Sequence, residues 1–245
     1  MSIRIEHLNY IYNAGSAFEK QALRDVNLDL PDGQQVRVYG KIDRVDRTEN
    51  GKYIRIIDYK TGKSHTFDPT KLLSGETIQL PLYYAAVRAA DKAAGKADGE
   101  CAGIYYMPLS LDPPEEGESP LHKLYGLTAS EEEAVRCAEH FDSSSSLIHN
   151  LKRSKKGEIT GAVAPIDRFK EILSDTEKIA ANLADGILSG NAELYPTEKA
   201  CDWCPYTSVC RFDTETGCRK RYVKKVTLSD LLDGKEGSDN AGSES

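Results

Sequence analysis

The chain has 245 residues, 39% of them hydrophobic and 29% charged, with a net charge of −7. That length suits one or two domains with enough apolar residues for a core. No run approaches the roughly 18 apolar residues of a membrane span, and the start lacks the basic flank and apolar stretch of a secretory signal. A membrane role is therefore set aside and a cytoplasmic location is expected.

Residues 1–34 alternate apolar and polar positions, as in two short strands joined by a turn. A second β-rich stretch follows. Val36, Val38, Ile42 and Val45 are interleaved with polar residues and with Asp43 and Asp46, and Asn50-Gly51 is a turn signal. Ile54, Ile56 and Ile57 then run into Asp58-Tyr59-Lys60. Two β-branched runs around a short polar turn predict a β-hairpin, and this one sets Asp43 beside Asp58. Close carboxylates raise each other's pKa unless a cation lies between them. Mg²⁺ suits that position, being a hard ion that takes carboxylate oxygens and keeps several waters. Lys60 lies two residues beyond Asp58 and so on the same side of the strand. Its ammonium can orient a metal-bound water or steady charge on a phosphate. An isolated D-x-K is more often a surface ion pair, so the pattern gains its meaning from what surrounds it.

Asp68-Pro69 predicts a helix start, with a capping acid and a proline in the first turn, and a stop near Gly75. Thr77 is expected to cap a longer helix to about Ala94, with Ile78, Leu82, Ala85, Ala86 and Ala89 on its apolar face. Gln79 and Tyr83, four apart, share a face of it. Residues 101–109 read as a buried strand, with Tyr105 and Tyr106 packed in the core. Ser130 and Glu133 form a capping-box pattern for a helix to about Phe141. Lys152, Arg153, Lys155 and Lys156 precede Gly157 as either a phosphate contact or a solvated loop. Ala164-Pro165-Ile166-Asp167 opens a helix to about Leu188, with Ile172, Leu173, Ile179, Leu183 and Ile187 as its apolar positions. The expected fold class is α/β, a mixed sheet flanked by helices.

Of six cysteines, Cys201, Cys204 and Cys210 are spaced C-x₂-C-x₅-C, and Cys218 follows. In a chain expected to be cytoplasmic, disulfides are not the first choice. Thiolates close together in a short loop need a cation, which zinc or an iron–sulfur cluster supplies. Beyond them Arg219, Lys220, Arg221, Lys224 and Lys225 form a basic cluster, and contact with a phosphate backbone depends on such local charge more than on the total. Residues 226–245 set Asp230, Asp233, Glu236, Asp239 and Glu244 against Lys235, are rich in Gly and Ser towards the end, and are expected to be disordered.

Three stretches in order, GKIDRVD (40–46), IIDYKTGK (56–63) and QLPLYYAA (79–86), resemble the motifs of the PD-(D/E)XK nuclease superfamily. The resemblance is closest to the C-terminal nuclease domain of AddB, the B subunit of bacterial ATP-dependent helicase/nucleases. It implies that Asp43, Asp58 and the carbonyl of Tyr59 bind Mg²⁺, that Lys60 is catalytic, and that Gln79 and Tyr83 support the site and the DNA backbone. It further implies hydrolysis of DNA, as single strands or duplex ends, alongside an AddA-like helicase/nuclease subunit in double-strand break repair. KACDWCPYTSVCRFD (199–213) is similar to the iron–sulfur motif of that family. There, three loop cysteines, here Cys201, Cys204 and Cys210, join one upstream cysteine around a 4Fe–4S cluster. That upstream cysteine and an upstream histidine have no counterpart in a matching context; His7 is no substitute, and Cys218 is the best local fourth ligand.

Residues 1–34 resemble the start of an energy-coupling-factor transporter ATPase of the ABC class, but no G-x-x-x-x-G-K-S/T loop follows to cradle a phosphate. The expected layout is thus a fused ATPase-like segment (1–34), a nuclease domain with the cysteine motif 201–218 (35–225) and a disordered acidic tail (226–245). A non-catalytic DNA- or partner-binding remnant and a Cas4-like exonuclease remain as alternative readings, with metal-dependent stabilisation as the discriminator for the first.

Overall fold

The computed structural model describes residues 3–12, 20–30, 38, 40–61, 67–109, 123–138, 146, 151–202 and 204–234. The chain divides into two units, residues 1–41 with 181–193, and residues 42–180 with 194–245. The first holds β1 (Ile3–Tyr12) and β2 (Lys20–Leu30), which pair antiparallel from Ile3 opposite Leu30 to Tyr12 opposite Lys20. Two paired strands are what the alternation predicts, and the expected turn between them lies outside the described residues.

The second unit carries, in chain order, β3 (Arg44–Arg47), β4 (Tyr53–Thr61), α1 (Pro69–Leu73), α2 (Gln79–Ala93), β5 (Glu100–Leu109), β6 (Tyr125–Ala129), α3 (Glu132–Ala138), β7 (Leu151–Arg153), β8 (Ile159–Gly161), β9 (Val163–Ala164), α4 (Ile166–Leu188), α5 (Thr207–Cys210) and α6 (Leu228–Asp233). The last residues of α4 belong to the first unit. A five-stranded sheet runs β3-β4-β5-β6-β9. The β3–β4 and β5–β6 pairs are antiparallel, β4–β5 and β6–β9 parallel. This is the expected mixed sheet. Parallel strands need a crossover, and α1 and α2 supply the one between β4 and β5. The β3–β4 turn is closed by Gly51 at φ 70°, the left-handed conformation that Asn-Gly signals.

Strand alternation sorts the core. Ile54 and Ile56 of β4 bury against Leu80, Tyr84 and Val87 of α2, Ile104 of β5 and Phe169 and Ile172 of α4. Ile57 of β4 turns to the other face, with Tyr105 and Leu124. Full burial of each such side chain contributes about 1.5–3 kcal/mol. Gly126 of β6 is obligatory: a Cβ there would lie 1.8 Å from the carbonyl oxygen of Ile104.

Several local expectations are met. Asp68 caps α1 by accepting from the Thr70 N–H at 2.8 Å, with Pro69 in the first turn. Others are corrected. The longer helix α2 lacks a side-chain cap from Thr77 and starts at Gln79 after Ile78. It buries Leu80, Pro81, Tyr84, Val87 and Asp91, not the face read through Ile78, Leu82, Ala85, Ala86 and Ala89. An apolar count could not include Asp91, a charged residue that is buried where it pairs with Arg47. In α4 only Phe169, Ile172, Leu173 and Thr176 are buried, while Leu183 and Ile187 stay exposed. The tail is not disordered throughout. Residues 228–233 form α6, with a capping box between Thr227 and Asp230, a left-handed Gly234 at its end, and Leu231 in the core. Arg168 donates to the Leu231 carbonyl at 2.8 and 3.0 Å, which an expectation based on composition could not include. Residues 235–245 lie outside the described residues.

Candidate active site

The site continues the core row of β4. The face that buries Ile54 and Ile56 carries Asp58 and Lys60 next, because side chains repeat every second residue. Asp58 is 3% exposed. The strand has thus delivered a carboxylate to the rim of a hydrophobic core, where an ionised group is costly without partners.

Those partners are present. The Lys60 ammonium lies 2.5 Å from Asp58 Oδ2 and donates to Gln79 Oε1 at 2.8 Å. Gln79 Nε2 donates to Asp58 Oδ1 at 3.2 Å and to the Tyr83 hydroxyl at 2.7 Å. Gln79 and Tyr83 reach the same point because they stand one turn apart at the start of α2. Four predicted residues therefore form one connected network. Asp58 Oδ2 is sealed from water and accepts no well-directed hydrogen bond, so its contact with Lys60 is ionic.

Asp43 completes the pair of carboxylates. Arg44, the first residue of β3, is opposite Ile57, and Asp43 lies just before the strand. Its Oδ2 accepts from the Tyr59 N–H at 3.0 Å. In an extended strand a residue's N–H and C=O face the same edge, so the Tyr59 carbonyl also faces the Asp43 side. Asp46, the other aspartate of the first motif, serves a different end. It accepts from Arg44 at 2.8 Å and from Arg55 at 3.0 and 2.5 Å. Burial raises its carboxyl pKa, but these two arginines outweigh that and hold it below the usual range.

Two features were invisible in the sequence. Tyr106, read only as a core residue, pairs in register with Asp58, and the Lys60 ammonium sits 5.5 Å above its ring. Burial first, then the Asp58 and Tyr83 charges, push the Tyr106 phenol up to about 12, so the ring stays neutral. A strand register is needed to find it. The other feature is the Arg47–Asp91 pair, with contacts of 2.9 and 3.1 Å, which ties β3, just after Asp43, to the helix that carries Gln79. Its only trace in the sequence is an acid within an alanine-rich helix.

The cysteine expectation finds no support among the described residues. Cys201, Cys204, Cys210 and Cys218 are free thiols, partly or fully exposed. Among the described residues no three His, Cys, Asp or Glu side chains converge on a metal position. The segment is closed instead by backbone bonds: Cys204 N–H to the Cys201 carbonyl at 3.3 Å, Cys210 N–H to Tyr206 at 2.8 Å and Cys218 N–H to Asp213 at 3.2 Å. These thiols do not fit a 4Fe–4S cluster or zinc as placed. Cys101 is buried, as expected of a small core residue, and burial pushes its thiol up. The side chain of Cys137 is not among those described.

An α/β sheet with an aspartate and a lysine two apart at one strand end, backed by a helix-borne Gln and Tyr, is the arrangement of a D-x-K nuclease fold. Comparison with known proteins agrees. Residues 4–211 match the model of the PD-(D/E)XK nuclease superfamily, and the chain belongs to that family. It is 30% identical over 229 residues to the B subunit of the ATP-dependent helicase/deoxyribonuclease of Clostridium tetani, an alignment covering 84% of this chain and 20% of that protein. It is 33% identical over 213 residues to the corresponding protein of Moorella thermoacetica, covering 79% and 18%. The counterpart in Alkaliphilus oremlandii gives 30% over 206 residues, covering 76% and 18%. The chain thus spans about a fifth of the length of these relatives. The family match begins at residue 4 and takes in the segment likened to a transporter ATPase, so that likeness finds no support. Among the described residues no helix is long and apolar enough to cross a membrane.

Proposed function

We propose that this domain hydrolyses DNA phosphodiester bonds with a divalent ion, Mg²⁺ by the hardness of its ligands, held at the end of β4. One observation carries the reading: Asp43 accepts from the Tyr59 N–H while Lys60 and Gln79 close on the neighbouring buried Asp58 carboxylate. The donor set fits such an ion, being two carboxylates and one carbonyl, with Asp58 Oδ2 lacking any directed donor. Asp43, Asp58 and the Tyr59 carbonyl would hold it. Once bound, it lowers the pKa of a coordinated water and offsets phosphate charge.

The chain's own groups do the rest. Lys60 has three N–H bonds; one is donated to Gln79 while the ammonium pairs with Asp58 by charge, and the remaining protons can orient the attacking water or meet a phosphate oxygen. Gln79 uses both amide protons, on Asp58 and Tyr83, and so fixes the position of each. Tyr83 accepts there, which leaves its own proton free to donate to the DNA backbone. The Tyr106 ring restricts where the Lys60 ammonium can lie.

The relatives are named as the B subunit of an ATP-dependent helicase/deoxyribonuclease. We read this chain as the corresponding nuclease module, cutting DNA supplied by an AddA-like helicase partner in double-strand break repair. The test is digestion of single-stranded DNA with Mg²⁺ by the chain and by Lys60→Ala; equal rates remove the proposal. In parallel, Mg²⁺ or Mn²⁺ should raise the thermal midpoint of the chain but not of Asp43→Asn. No rise in either would favour a non-catalytic DNA-binding remnant.

A further inference from the structure

Outside the site, the basic cluster after Cys218 is not yet accounted for. Residues 219–226 lie in neither helix nor strand, yet they are firmly pinned. The Arg221 N–H donates to the Pro196 carbonyl at 2.7 Å, and its guanidinium reaches the Ser74 carbonyl at 3.3 Å. Val226 donates to Thr70 Oγ1 at 3.0 Å, and that hydroxyl donates back to the Val226 carbonyl at 3.2 Å. The segment is therefore a strap laid across α1, from its end at Ser74 to its first turn at Thr70. Residues 75–78 lead directly from there to Gln79.

What the strap presents is unusual. Tyr222 is 76% exposed, although a phenol ring normally buries most of its apolar area. Arg219 and Lys225 on either side are exposed and meet no carboxylate among the described residues. An uncovered ring between unneutralised cations, on a backbone already ordered, has the two elements that bind a single strand: a stacking face for a base and charges for its phosphates.

We infer that residues 219–225 are a platform for single-stranded DNA on the approach to the carboxylate–lysine site, with Tyr222 stacking on a base and Arg219 and Lys225 meeting phosphates. The inference rests on the nuclease reading and adds the residues that would hold its single-stranded substrate outside the site. It is tested by binding in EDTA, where no cutting occurs, using labelled oligothymidylate and an abasic strand of equal length.

Tyr222→Ala is expected to weaken oligothymidylate binding about fivefold to a hundredfold and to leave the abasic strand nearly unchanged. Tyr222→Phe should keep the affinity. Arg219→Gln and Lys225→Gln should weaken both strands and each reduce the salt slope by roughly 0.7. Wild-type binding by Tyr222→Ala, or a Phe variant as weak as Ala, overturns the platform and leaves the ring to a protein contact. The two readings fail separately. A chain that binds as described but does not cut with Mg²⁺ loses the nuclease assignment and keeps the strap. A chain that cuts while Tyr222→Ala binds normally does the reverse.

Discussion

The carboxylate–lysine cluster and the cysteine segment are both short motifs of groups that attract cations, and the fold treats them in opposite ways. Asp58 and Lys60 ride on a strand paired on both sides, and Gln79 and Tyr83 on a 15-residue helix packed against it. Their geometry follows from backbone hydrogen bonds made whether or not a ligand is present. Cys201 to Cys218 lie on turns and a four-residue helix, with Arg211 in the left-handed region at φ 54°. Among the described residues these thiols do not converge on a metal position. A preorganised site thus takes its precision from secondary structure, whereas a loop site needs its ligand to shape it.

Asp58→Asn is the harshest test of that contrast. It should lower Mg²⁺-dependent cleavage of single-stranded DNA by roughly 10²–10³ or more, measured as initial rate, since it removes a proposed ligand and leaves the Lys60 ammonium without its counter-charge. A loss below about tenfold would show that the cluster is not the reaction centre. Gln79→Leu comes next. It deletes three hydrogen bonds and should cost about 1–3 kcal/mol of stability, read by urea unfolding without metal. An unchanged midpoint would mean that the network is not formed in advance.

A smaller effect is expected at the clamp behind Asp43. Hydrogen bonds from Arg47 hold the Asp91 carboxyl below the ordinary range. A depressed folded-state pKa gives stability that is present above the unfolded value, about 3.9, and is lost as pH falls through the folded value. Asp91→Asn should therefore lower the thermal midpoint at neutral pH, and the gap from wild type should close below about pH 3. A gap independent of pH would assign the effect to shape and not to charge. The smallest change belongs to the cysteine segment: Cys210→Ser should alter metal-free stability by less than about 0.5 kcal/mol. A larger loss would mean that the thiols are engaged after all.

Much of the site was legible before any coordinates. Period two placed Asp58 and Lys60 on one side, Asn50-Gly51 closed the hairpin, and four-residue spacing joined Gln79 to Tyr83. The Tyr106 ring and the Arg47–Asp91 clamp were not legible, because both depend on which residue of one element meets which residue of another. The burial of α6 was hidden for a related reason: an acidic, Gly/Ser-rich composition describes residues 226–245 on average, and one leucine on a capped turn is enough to dock part of them.

Local rules of the chain, alternation along strands, turn chemistry and helical spacing, were enough to determine the elements, the mixed-sheet class and the acidic and basic groups that share an edge. Register across β4–β5 and the rotation of α2 about its axis were decided only by packing. Those outcomes depend on contacts between residues far apart in sequence, such as Arg47 with Asp91, whose free energy exists only once the sheet and its helices have come together.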